Sequence, residues 1–271
     1  MALIGGERSA LRLLELLQIE QPTDYICMDS PVPTGSDLLQ LAFAGLAVGL
    51  ILIVWRGVVR GYLACGDPPP VASGRGRAFL ILMALWVVAV IGDAASGHLG
   101  QWSRRPPPFA ILLAFIIVLG VLISRSEFGD RLARGIPLAY LVGIQAFRFP
   151  LELIMHRAYT EGVMPVQMSY SGRNFDIVTG ITALVLGVLM TRTSVPRGLV
   201  LAWNWIGLAL LVNIVGVAVA STPLFHYFGP DRLNTFVASP PYVLLPAVMV
   251  LTAWAGHLVI FRALTAADRV E

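Results

Sequence analysis

Seven long apolar segments dominate this sequence and limit the folds it can adopt. A helix needs about 20 mostly apolar residues to cross a bilayer, and the chain supplies such segments one after another. They cover approximately residues 38–55, 78–97, 107–124, 136–156, 175–191, 198–220 and 241–262. With 57% hydrophobic and only 13% charged residues, the composition is that of a polytopic membrane protein. The pattern predicts an all-α fold, a bundle of seven transmembrane helices within residues 37–265.

Two short terminal regions lie outside the predicted bundle. Residues 266–271 are predicted to form a cytoplasmic tail, and residues 1–36 an extracytoplasmic or interfacial segment. Residues 9–19 could form an amphipathic helix on the membrane surface, with Ser9 as its N-cap. Alternatively, this region is a non-native extension from a wrongly assigned start. It is not a secretory signal, because Arg12 and Glu15 interrupt its apolar run.

The arginines of the connecting loops predict how the bundle is oriented. The loops after segments one, three and five and the C-terminal end carry Arg56, Arg60, Arg75, Arg77, Arg125, Arg131, Arg134, Arg192, Arg197, Arg262 and Arg269. The alternate loops carry only Arg104, Arg105, Arg157, Arg173 and Arg232. Because cytoplasmic loops hold the excess of positive charge, this imbalance predicts an N-terminus outside and a C-terminus inside.

The basic residues also exclude two classes of protein. All 19 are arginine, they lie mainly in loops, and no basic run is interleaved with aromatic residues, so a nucleic-acid partner is not predicted. Retinal is excluded as a cofactor, because the chain has no lysine to form a Schiff base with it. The two cysteines, Cys27 and Cys65, fall on opposite sides of the predicted membrane and are not expected to form a disulfide.

One predicted helix carries a charged face. Arg148, Glu152 and His156 follow each other at intervals of four residues, so they share one side of a helix. An ionisable group at membrane depth costs roughly 2.5–3.5 kcal/mol on insertion scales, and such groups usually face protein or water. The loop that follows adds the polar residues Tyr170, Arg173, Asn174 and Asp176. Together they predict a polar cavity within the membrane near the outer face.

Three interpretations of this cavity remain open from the residues alone. In the first it is structural, with Arg148 paired to Glu152 and Arg173 paired to Asp176. In the second the cavity binds, senses or transports a small ligand, and Arg148 or Arg173 holds an anionic group bidentately. Tyr170, Asn174 and Gln145 would then orient that ligand.

The third interpretation is a metal site. Glu152 and His156 have a spacing that places both on one helical face, and Asp93, His98, Asp176 or His226 could complete a zinc shell. A zinc-bound water would make the protein a metal-dependent intramembrane hydrolase.

Other polar and small residues have structural explanations. Gly45 and Gly49 have GxxxG spacing, which favours close helix packing within the bundle over dimerisation. Asn204 and Asn213 are expected to form interhelical hydrogen bonds, and Pro150 is expected to kink its helix. A homo-oligomer or a larger membrane complex remains open.

Three stretches carry a resemblance to known proteins. They are FRFPLELIMHRAYTEGVMPVQMSYSGRNFDIVTGITA, WNWIGLALLVNIV and SPPYVLLPAVMVLTAWAGHLVIFRAL, all within residues 140–265. They resemble a group of uncharacterised bacterial multi-pass membrane proteins. The resemblance implies an integral protein of the bacterial inner membrane and implies no particular activity. Similarity to the seven-helix zinc hydrolases of the ceramidase and progestin-receptor type is poor, because only His257 stands in the last helix where that group has paired histidines.

Overall fold

The structure is a computed structural model that describes residues 34–267. The regular secondary structure of these residues is helical. The helices are α1 (Asp37–Ala64), α2 (Pro69–Ala95), α3 (Pro108–Arg125), α4 (Glu127–Gly135), α5 (Leu138–Gly143), α6 (Arg148–Thr160), α7 (Asp176–Arg192), α8 (Arg197–Ala220) and α9 (Leu251–Ala267). A 3₁₀ segment, Ile144–Phe147, joins α5 to α6, and a π-helical segment, Leu245–Val250, leads into α9. The predicted helix at residues 9–19 and Cys27 lie outside the described residues.

The predicted multi-pass membrane architecture is confirmed at the level of its long apolar helices. Six helices or helix pairs are long and apolar enough to cross a bilayer: α1, α2, α3, α5 with α6, α8, and the π segment with α9. The remaining predicted segment forms α7, which has 17 residues and is therefore slightly shorter than these six. Every one of the seven apolar segments is helical.

Two stretches predicted as loops are helical instead. Residues 56–64 extend α1 and residues 69–77 begin α2, so only a short turn joins the two helices. The charged stretch after α3 forms α4, because the Ser126 hydroxyl accepts from the Gly129 N–H and caps its first turn. Glu127 and Asp130 lie near the positive N-terminus of this helix, and Arg134 lies near its negative C-terminus.

The arginine-rich loops meet at one end of the bundle, as the orientation prediction requires. Arg131 of α4 pairs with Asp67 of the α1–α2 turn at 2.9 Å. Arg262 of α9 pairs with Asp130 of α4 at 2.6 Å. Arg197, which begins α8, donates to the carbonyl of Leu264 at 2.8 Å. The connections that follow α1, α3 and α7 therefore share one end with the C-terminal part of α9.

Small residues allow α7 to pack closely against the helix that carries the charged face. A Cβ atom added to Gly180 would lie 2.3 Å from the backbone nitrogen of Phe149, and one added to Gly187 would lie 3.0 Å from Gly143 Cα. This contact holds the start of α7 beside α6. The prediction for Gly45 and Gly49 was wrong: added Cβ atoms meet nothing within 4 Å, because both glycines face away from the neighbouring helices.

Candidate functional site

A buried cluster of charged and polar side chains lies where α6 meets the start of α7. Arg148 and Glu152 are each only 1% exposed, and Asn174 and Asp176 are buried beside them. These four residues, which we call the Arg148 centre, were all among the predicted site residues. Their burial agrees with the expectation that charges in an apolar helix face protein rather than lipid.

Arg148 pairs with Asp176 and not with its helical neighbour Glu152. Its Nη1 lies 3.2 Å from Asp176 Oδ1 and 3.2 Å from the carbonyl oxygen of Gly207 on α8. The predicted Arg148–Glu152 ion pair is therefore wrong. The physical reason is the close α6–α7 crossing at Gly180, which brings the first residue of α7 within reach of the guanidinium.

Asn174 holds the second carboxylate. Its Nδ2 donates to Glu152 Oε1 at 2.7 Å, to Oε2 at 2.8 Å and to the Met168 carbonyl at 3.0 Å. Its Oδ1 accepts from the Asp176 N–H at 3.0 Å, which satisfies an amide at the start of α7 that has no partner within the helix. One side chain thus positions both carboxylates of the centre.

Half of the Arg148 guanidinium has no partner among the described residues. Nε and Nη2 are buried and make no hydrogen bond to any group in residues 34–267. These two nitrogens form one edge of the planar guanidinium, the edge that can bind two acceptor atoms side by side. A buried donor without a partner costs roughly 1–3 kcal/mol, and more when it is charged. The unused edge therefore has donors available for a group outside residues 34–267.

A cavity of about 60 Å³ adjoins this arginine. The four residues of the Arg148 centre line it, and the rest of the wall is apolar. The apolar lining includes Leu151, Met155, Met168, Leu211, Ile214 and Met249. Water occupies about 30 Å³ per molecule in the liquid, so the space fits about two waters or a small ion.

Irregular helical segments border the cavity on two sides. The π-helical segment Leu245–Val250 contributes Leu245, Met249 and Val250 to the wall, and Trp86 Nε1 donates to its Ala247 carbonyl at 3.0 Å. The 3₁₀ segment contributes Phe147 and ends directly before Arg148. Pro150 lies within one turn of this segment, where a break in the helix was predicted. Both π turns and mid-helix 3₁₀ stretches recur at functional sites and hinges.

Further buried polar groups continue from the centre along α8 and α9. His257 Nδ1 lies 2.7 Å from Asn204 Oδ1, and Asn204 Nδ2 donates to the His257 carbonyl at 3.1 Å, which confirms the interhelical bond predicted for Asn204. His257 Nε2, Gln145 Oε1 and Thr179 Oγ1 have no partner within the described part of the chain. No sequence pattern distinguishes His257 or Thr179, because each is one of several scattered polar residues in an apolar helix.

The other predicted ligand residues lie outside the Arg148 centre. His156 stacks on Tyr170, with ring centroids 4.4 Å apart, and its Nδ1 lies 3.2 Å from the Ser171 hydroxyl.

The exposed Arg173 has its guanidinium 5.3 Å from the Phe228 ring centroid. The prediction that Arg173 pairs with Asp176 is wrong, because the loop turns the arginine outward while Asp176 faces Arg148. Asn213 donates to the Arg173 carbonyl at 2.9 Å, so its predicted interhelical bond is instead a bond from helix to loop.

The residues predicted to hold zinc are divided between separate places. Asp93 and His98 pair with each other at 2.8 Å in a cleft between α2 and α3 that Trp86 and Phe115 also line. Both oxygens of Glu152 are bound by Asn174, and His156 lies against Tyr170. Within residues 34–267, no three His, Cys, Asp or Glu side chains come together as a metal-binding group. A zinc site stays a prediction that this geometry does not favour.

Comparisons with protein-family models, curated proteins and solved structures found no match for the chain.

Proposed function

We propose that this protein is a seven-helix protein of the bacterial inner membrane that binds a small anion at the Arg148 centre, for transport or sensing. The observation that carries the proposal is the unused edge of Arg148: Nε and Nη2 are buried without a partner in residues 34–267, and Arg148 lines a cavity of about 60 Å³. We infer an N-terminus outside and a C-terminus inside, because the arginine-rich end of the bundle is expected to face the cytoplasm.

The count of seven spans rests on how α7 connects the two ends. Thr160, at the end of α6, is followed by Glu161, whose carboxylate accepts from Ser36 at the start of α1. Arg197, at the start of α8, instead contacts the C-terminal part of α9 at the opposite, arginine-rich end. The 17 residues of α7 rise about 26 Å at 1.5 Å per residue, close to the roughly 30 Å of the hydrocarbon core.

The unused donors of Arg148 favour anion binding over a purely structural role. The guanidinium stays charged, and its fork of donors matches anions that present two acceptor atoms. A purely structural arginine would be expected to use all its buried donors, because unpartnered charge in a low-dielectric interior is costly. A cavity of about 60 Å³ suits a small anion, such as a halide, formate or nitrate.

Transport or sensing is supported by the irregular helices around the cavity. Non-helical backbone at membrane depth is tolerated where it is buried in protein or lines a cavity, and broken helices form the ion and substrate sites of many transporters. Here the 3₁₀ break before Arg148 and the π segment opposite both border the cavity. Either could change conformation when a ligand binds or leaves.

Anion-dependent thermal unfolding of the full chain in detergent tests the proposal. We expect bromide or formate to raise the Tm of the parent protein relative to gluconate, a larger anion, at equal ionic strength. Arg148→Gln should abolish that increase, whereas the control Arg173→Gln should retain it, because Arg173 is exposed and outside the cavity. Equal anion stabilisation in the parent and in Arg148→Gln, or none in the parent, would overturn the proposal.

A further inference from the structure

The Arg148 centre contains one more negative charge than positive charge when all its groups are ionised. Arg148 contributes one positive charge, and Glu152 and Asp176 contribute one negative charge each; all three are buried. A monoanion beside Arg148 would leave two uncompensated negative charges in a low-dielectric interior. Such an arrangement is strongly unfavourable, because buried charge must be paired or neutralised.

We propose that the anion binds together with one proton, which Glu152 takes up. This inference rests on the proposed anion site and adds its coupling ion. Protonation leaves Glu152 neutral, so the occupied centre has the same net charge as the empty, fully ionised one. The protein would then couple anion binding, and any movement of the anion, to the proton concentration.

Glu152 is the proton acceptor because no cation among the described residues forms an ion pair with it. Asp176 lies 3.2 Å from the Arg148 guanidinium, which favours its ionised form. Within residues 34–267, Glu152 accepts hydrogen bonds from the neutral amide of Asn174 and from no other group. Protonation turns one oxygen of Glu152 into an O–H donor, and the other oxygen still accepts from Asn174.

The remaining elements around Glu152 add few titratable groups. Its own helix carries Arg148 and, one turn further on, the half-buried His156, which contacts Ser171 near the protein surface. The start of α7 contributes Asp176, and the loop before it contributes the neutral Asn174. The cavity walls from α8 and the π segment are apolar, and α9 contributes the buried His257, which is bonded to Asn204.

Calorimetric titration of the purified full chain with formate tests the coupling. Repeating the titration in buffers of different ionisation enthalpy measures how many protons are taken up with each anion. We expect about one proton per formate in the parent, and an apparent Kd that rises about tenfold per pH unit where Glu152 is ionised, as linkage of one proton requires. Glu152→Gln, which resembles the protonated acid, should bind formate with no proton uptake and little dependence on pH.

Asp176→Asn serves as the matched variant. Asp176→Asn removes one negative charge, so the charge balance predicts that it binds formate with Glu152 ionised and without proton uptake. Proton uptake by Asp176→Asn equal to that of the parent would overturn the charge argument. Binding to the parent without proton uptake would overturn the coupling and leave the anion site standing. Proton uptake retained in Glu152→Gln would overturn the assignment to Glu152. Absence of formate binding to the parent and to Glu152→Gln at every pH would instead overturn the anion site itself.

Discussion

The side-chain amide of Asn174 lies 2.7 and 2.8 Å from the two carboxylate oxygens of Glu152. The same side chain accepts from the backbone of Asp176, so it links a carboxylate on α6 to the first turn of α7. The geometry of the centre therefore depends on a neutral residue in a loop. If Asn174 were lost, the buried Glu152 would have no hydrogen-bond donor among the residues that the structure describes.

Asn174→Ala is predicted to destabilise the protein substantially. It removes three hydrogen bonds donated by one amide and leaves buried acceptors unsatisfied, at a cost of about 1–3 kcal/mol, or more for a charged acceptor. The matched control is Asn213→Ala, which removes one bond at an exposed position and should have little effect. The measurement is thermal unfolding in detergent at neutral pH. Similar Tm values for the two variants would contradict the role assigned to Asn174.

Gly207→Ala is predicted to disturb the contact between α8 and α9. An added Cβ would lie 2.7 Å from His257 Cε1 and 3.0 Å from Thr179 Cγ2, and overpacking of this kind costs roughly 1–3 kcal/mol. Gly207 also supplies a carbonyl to Arg148, so anion binding should weaken as well. Gly216→Ala on the same helix meets nothing within 4 Å and should leave both the Tm and the anion response unchanged. An unchanged Tm in Gly207→Ala would show that α8 and α9 can move apart here without loss of stability.

The stabilising contribution of Glu161 to the folded protein is predicted to be lost at low pH. The backbone N–H of Ser36, and then the Arg157 guanidinium, hold the pKa of Glu161 below its ordinary value. A carboxyl with a lowered folded-state pKa contributes full stability above its unfolded pKa, about 4.3, and loses it as the pH falls through the folded pKa. Glu161→Gln should therefore have a lower Tm than the parent at pH 7, and the difference should shrink as the pH falls below about 4.3. A constant difference down to pH 3 would contradict this assignment.

Gly45→Ala with Gly49→Ala is predicted to leave the fold intact. Added Cβ atoms meet nothing within 4 Å, and alanine is the better helix former by up to about 1 kcal/mol per position. The Tm should be unchanged or slightly higher, and the size measured by light scattering in detergent should not change. A smaller particle would instead show that this face joins two copies of the chain.

The sequence could predict that Arg148 and Glu152 are buried, but it could not predict how they pair. Arg148 and Glu152 lie four residues apart in an apolar helix, and this spacing correctly placed both on a face shielded from lipid. The choice of Asp176 as the partner of Arg148 depends on the crossing of α6 and α7 at Gly180. Such a crossing is set by tertiary packing, and no local pattern indicates it.

Local sequence patterns also could not predict all of the irregular backbone. Pro150 was expected to kink its helix, and a 3₁₀ segment, Ile144–Phe147, precedes it. The Leu245–Val250 π segment has no distinct sequence signal and is supported by contacts such as that from Trp86 to the Ala247 carbonyl. Arg173 was predicted beside Asp176 because it is close in sequence, yet a turn of the loop places it against Phe228. Charge and hydropathy thus predicted the membrane helices, whereas loop geometry decided which polar residues join the centre.

Crystals of the parent protein grown in sodium bromide give the most direct test of the central claim. Anomalous diffraction at the bromine edge locates bromide independently of water. We predict one peak in the cavity within hydrogen-bonding distance of Arg148 Nε and Nη2, and no such peak in Arg148→Gln. An anomalous map with no peak at that edge of the guanidinium, in crystals that bind bromide elsewhere, would contradict the anion site.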